Sequence, residues 1–93
     1  MGLMEKGYRV FIEKNAIRQL RKIDKNQQLL IYGFIKKNLE GTLAPRIFGR
    51  ALKGNLGDYW RYRIGDYRLI AEINDEEIRI IIIGIGHRRD IYR

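Results

Sequence analysis

The chain changes its hydrophobic period near the middle. From Asn15, the residues Ala16, Ile17, Leu20 and Ile23 recur at helical spacing, with Arg18, Arg21 and Lys22 on the opposite side. Asp24 is placed to cap a second helix with Gln27 as its reciprocal partner, and the inner stripe of that helix is Leu30 or Ile31, then Phe34, Ile35 and Leu39. Gly33 inside it costs about 1 kcal/mol in helix propensity, and close packing against a neighbour is the usual reason for such a glycine. Ahead of both helices, YRVFIE (8–13) is a short β-branched and aromatic run that predicts an opening strand. Gly41 and Pro45 end the helical half, and KGNLGD (53–58) adds two more glycines.

From Tyr59 the period is two. YWRYRI, YRLIAEI and IRIIIIGI read as three strands, joined by GD and NDEE, both short enough for antiparallel hairpins. The layout is therefore α+β, with two N-terminal helices packed on one face of a mainly antiparallel four-stranded sheet in the order β-α-α-β-β-β. At 93 residues the chain is expected to be one domain, 1–93.

Hairpin parity then sorts the side chains. A two-residue turn at Gly65 and Asp66 sets Ile64 opposite Tyr67, Arg63 opposite Arg68, Tyr62 opposite Leu69 and Arg61 opposite Ile70. Trp60, Tyr62, Ile64, Tyr67, Leu69, Ala71 and Ile73 share the helix-covered face, leaving Arg61, Arg63, Arg68 and Glu72 on the other. A second centre at Asp75 and Glu76 would put Glu72 opposite Arg79. The last strand carries Arg79, Ile81, Ile83, Ile85 and finally His87 on the open face, beside the arginines. The isoleucine row would lie under a loop such as 42–58 or form an apolar patch for a partner. Arg63 facing Arg68 is a like-charge pair that an anion between them would relieve.

Charge gives that cluster a ligand. Nineteen Lys and Arg against eleven Asp and Glu leave +8, which attracts polyanions, nucleic acid first. Cysteine is absent and histidine occurs once, so neither a disulfide framework nor a Cys or His metal site is expected, and no cofactor is called for. The longest apolar run, IRIIIIGIG, is broken by Arg79 and glycines, so no membrane partner is expected and a cytoplasmic location fits.

Metal-free cleavage of RNA needs a proton taken from a 2′-hydroxyl, charge stabilised on phosphorus and a proton given to the departing 5′-oxygen. Arginine suits the second act, its guanidinium forking onto phosphate oxygens while staying charged, so Arg61, Arg63 and Arg68 are the candidate stabilisers. His87, in IGHRRDIY (85–92), is the one side chain whose ordinary pKa lies near working pH, and so the candidate acid or base. Tyr92 could stack on a base or trade a proton at higher cost.

With AIRQLRKID, LKG (52–54), YWRYRIGDYRLIAEI and IGHRRDIY in view, the chain resembles RelE-type toxins of bacterial type II toxin–antitoxin modules, within the RelE/ParE superfamily. The likeness covers nearly the whole length. It implies a RelE-like fold and a ribosome-dependent mRNA endoribonuclease, which cleaves mRNA in the ribosomal A site of the 70S ribosome to a 2′,3′-cyclic phosphate. Arg61 and Arg63 fall where the best-known members carry two lysines. Arg68 matches the arginine of the YRL segment, Arg88 the arginine after the last strand, and Tyr92 the terminal tyrosine. Lysine can lose a proton and arginine cannot, so a base role held by those lysines would move to His87. The resemblance further implies a RelB-like antitoxin, bound in a hetero-oligomer through a segment that wraps the toxin. Two other readings are a ParE-like toxin that inhibits DNA gyrase without cutting RNA, and a basic binding module that has lost catalysis.

Overall fold

The computed structural model describes residues 7–52 and 59–87. Strand β1 (Arg9–Ile12) leads into helices α1 (Lys14–Arg21) and α2 (Lys25–Phe34), followed by β2 (Arg50–Ala51), β3 (Trp60–Ile64), β4 (Tyr67–Asn74) and β5 (Arg79–His87). All five strands form one sheet in the order β1-β5-β4-β3-β2. β1 runs parallel to β5, and the remaining pairs are antiparallel. The α+β layout follows the expectation, but the sheet has five strands where four were expected. The added strand, β2, has two residues, too few to show a period of two.

Both helices lie on one face. From α1, Ala16 and Leu20 are buried, and from α2 and its extension Ile31, Ile35 and Leu39. Ile31 rather than Leu30 therefore belongs to the inner stripe, Leu30 being 58% exposed. Asp24 caps α2 through Oδ2, which accepts from the Asn26 amide at 3.1 Å. The expected partner Gln27 is replaced by Gln28, whose amide nitrogen donates to the Ile23 carbonyl at 2.7 Å. α2 widens into a π-helical turn over Ile35–Leu39, closed by the Glu40 N–H donating to the Ile35 carbonyl. Gly33 is exposed, and a Cβ there would meet nothing within 4 Å, so it serves no close packing among the described residues.

The β3–β4 hairpin has the expected register from Trp60↔Ala71 to Ile64↔Tyr67. Gly65, at φ 57°, supplies the positive φ that a two-residue hairpin turn needs at its first central position. The second hairpin departs from expectation. Its loop is longer, Asn74 pairs with Arg79, and Glu72 faces Ile81 rather than Arg79. Pairing continues to Ala71↔Ile82 and then resumes at Ile70↔Gly84, so Ile83 is an extra residue, a β-bulge. A bulge reverses parity beyond it. Ile85 is consequently buried at 2% exposure and His87 pairs with Tyr67, both on the helix-covered face.

That face is the core. Tyr62, Leu69, Ala71, Ile80, Ile82 and Ile85 pack under the helices, each large aliphatic side chain contributing roughly 1.5–3 kcal/mol of burial. Tyr62 carries a polar end inside, which donates to the Pro45 carbonyl at 2.6 Å, and Trp60 Nε1 donates to the Phe48 carbonyl at 2.6 Å. These bonds hold the segment 42–49 against the helix side of β3. The isoleucine row is thus not roofed by that stretch: Ile81 and Ile83 are half-buried, and Ile85 has left the row.

Candidate nucleic-acid interface

The open face of the sheet carries arginines because β3 alternates. Tyr62 must point into the core, so Arg61 and Arg63 point away, and β4 places Arg68 beside Arg63. β2 adds a residue that the sequence reading missed, Arg50, directly opposite Arg61. Two like-charged cross-strand pairs, Arg50↔Arg61 and Arg63↔Arg68, therefore stand on one face. Opposed like charges weaken a sheet, and an anion lying across them reverses the sign.

Gly49 makes this approach possible. Its φ is 84°, and a Cβ there would collide with the Arg61 carbonyl oxygen, so only glycine lets the chain come down onto β3 and start β2. The result is a groove of about 240 Å³ lined by Gly49, Arg50, Arg61 and Arg63. Arg68 sits deeper, 5% exposed, its Nη1 donating to the Tyr67 carbonyl at 3.2 Å and more weakly to that of Gly65 at 3.4 Å. On β5 the positions facing this cluster are Gly84, opposite Ile70, and Gly86, opposite Arg68. No side chain from β5 covers it at these two positions.

His87 is not among these arginines. The bulge at Ile83 sends the imidazole to the other face, edge-on to Tyr67 with ring centroids 5.5 Å apart. There it borders a cleft of about 390 Å³ with Gln19, Lys22, Asp24 and Ile85. The expected gathering of Arg61, Arg63 and Arg68 on one face is what the register produces, while the expected placement of His87 beside them is corrected. Arg88 and Tyr92 lie outside the described residues. Sequence periodicity could not expose the bulge, since every residue from Ile80 to Ile83 is isoleucine. For Arg50 the one available signal was Gly49 before it.

Two helices on a sheet with an arginine-lined open face define a RelE-like fold, and the comparisons with known proteins agree. The sequence pattern of the ParE toxin of type II toxin–antitoxin system, parDE, matches residues 10–92. The chain belongs to this family, and within its superfamily it is a RelE-type toxin. Toxin RelG of Mycobacterium tuberculosis is 31% identical over 86 residues, covering 92% of this chain and 97% of that protein. The M. tuberculosis RelBE2 toxin–antitoxin complex contains a chain that superposes with a TM-score of 0.80 at 28% identity, over 88% of this chain and 99% of that one. The archaeal RelE–RelB complex of Pyrococcus horikoshii gives 0.65 at 30% identity, over 87% and 94%.

Proposed function

We propose that this toxin is a ribosome-dependent mRNA endoribonuclease that uses the arginine face to hold the scissile phosphate. The observation that carries this reading is the pair of opposed arginine pairs on one open sheet face. Arg61 and Arg63, on the groove wall, take the phosphate oxygens, and Arg68 supplies a fixed charge from beneath as negative charge grows on phosphorus. Attack by the 2′-oxygen forms the 2′,3′-cyclic phosphate and expels the 5′-oxygen, which leaves with a proton. Arginine performs neither proton transfer. These fall to the titratable groups at the C-terminal end of the chain, His87 and Tyr92, while Arg88 adds fixed positive charge. Support for RNA as substrate and for a RelB-like antitoxin as partner comes from the kinship with RelG and with the RelE chains of the RelB complexes.

A second reading has its own support. The family pattern carries the name ParE, and an imidazole behind the sheet suits a toxin that needs no proton transfer, such as a gyrase inhibitor. Primer extension on mRNA from growth-arrested cells, alongside a gyrase supercoiling assay, separates the two. Discrete mRNA ends that vanish with Arg61→Ala/Arg63→Ala support the nuclease. Intact mRNA with lost supercoiling sinks it. The double variant should lose at least about 100-fold in cleavage, the scale for removing charge stabilisers from a phosphoryl site, and keep its fold because both positions point out of the core.

A further inference from the structure

The β5 bulge is held from outside its own sheet. β1 accompanies β5 only as far as Ile12↔Ile82, where the Glu13 N–H still donates to the Ile82 carbonyl, and the chain then turns into α1. Past that point β5 has no strand neighbour on this side among the described residues. The Ile85 N–H instead donates to the side-chain oxygen of Gln19 on α1, at 2.7 Å and across 66 positions of sequence. Gln19 stands in for the acceptor that a longer β1 would have offered. Without it that partly buried amide would lose its acceptor, a cost that weighs against the bulged register.

The alternative register follows from pairing alone. Continued without interruption from Ala71↔Ile82, β5 would set Ile83 opposite Ile70 and Ile85 opposite Arg68, and would bring Gly84 and Gly86 into the core. Ile85 would then stand in front of the Arg68 guanidinium. In the bulged register that position holds Gly86, which presents no side chain to Arg68.

We infer that Gln19 is a positioning residue for the arginine face: by bonding the Ile85 amide it fixes the β5 bulge and keeps glycine, not isoleucine, opposite Arg68. The proposal rests on the reading of that face as an RNA-phosphate site, and it makes α1, on the far side of the sheet, responsible for which β5 residue faces Arg68. It also assigns a chemical reason to the glutamine of α1.

The test compares Gln19→Leu, which keeps the shape and removes the acceptor, with Gln19→Glu, which keeps an acceptor at the same reach. Each is made in the full chain and followed by exchange of the Ile85 amide, by the nuclear Overhauser contact between the Tyr67 and His87 rings, and by mRNA cleavage in a translating extract. Gln19→Leu should lose Ile85 protection and the ring contact and cleave at least about tenfold less, while Gln19→Glu keeps all three near the parent. Gly86→Val supplies the independent arm. It leaves Gln19 in place and sets a side chain before Arg68, so cleavage should fall while Ile85 stays protected. If Gln19→Leu retains Ile85 protection and the ring contact, Gln19 does not hold the bulge. If it loses both and cleaves like the parent, the bulge does not serve the site. A parent chain that leaves mRNA intact refutes the nuclease reading instead, and the hold of Gln19 on β5 is then judged by exchange and ring contact alone.

Discussion

The two faces of the sheet are built from the same strands and obey different rules. On the helix side, Tyr62, Leu69, Ile80, Ile82 and Ile85 are almost wholly buried, and each gains by exclusion from water whatever its exact partner. On the open side, Arg50, Arg61, Arg63 and Arg68 are set in opposed like-charged pairs, an arrangement that burial does not reward. One face serves folding. The other gathers like charges, a local conflict of the kind common at functional sites.

Substitution should expose this asymmetry most strongly at neighbouring positions of β5. Ile82→Ala opens a cavity in the core and should cost about 3 kcal/mol, whereas Ile81→Ala, one residue away on the open face, should cost about 1 kcal/mol or less. Urea unfolding of the two variants checks this, and equal losses would mean that the faces are not distinct. Next in size is salt. If three arginines each meet a phosphate, affinity for single-stranded RNA should fall roughly 20-fold between 50 and 200 mM salt, and only about 2.5-fold in Arg61→Ala/Arg63→Ala. Fluorescence anisotropy measures both, and a slope unchanged by the double variant would remove these residues from the interface.

The core face has one titratable group worth following. Burial pushes the Tyr62 phenol up to about 12, so the folded state holds this proton more tightly than the unfolded chain does. Its contribution is complete below the ordinary tyrosine pKa near 10 and is lost as pH rises toward 12. Stability should decline across that window by up to roughly 2 kcal/mol more than in Tyr62→Phe. The phenylalanine variant itself should lose about 1 kcal/mol at neutral pH, since the Pro45 carbonyl forfeits its donor. The smallest effect lies at the edge of the molecule. Arg46 forks onto Asp75 at 3.0 and 3.1 Å and Tyr8 donates to it at 2.7 Å, which together hold the Asp75 carboxyl below its usual range. That contribution is present above the ordinary carboxylate pKa and fades as pH falls through the lowered value. Exposed as it is, Asp75→Asn should shift the melting temperature by no more than a degree or two.

The chain itself determined its two helices, four of its five strands and the face on which Arg61, Arg63 and Arg68 lie, the last because a buried aromatic at Tyr62 and a two-residue turn at Gly65 leave only one parity. Two features needed the folded whole. Arg50 joined the cluster through a two-residue strand that has no period of its own, and His87 left it because four consecutive isoleucines can slip by one residue without any local signal. The slip is settled, in our proposal, by the hydrogen bond that the Ile85 N–H donates to the Gln19 side-chain oxygen, 66 positions away in the sequence and one bond away in space.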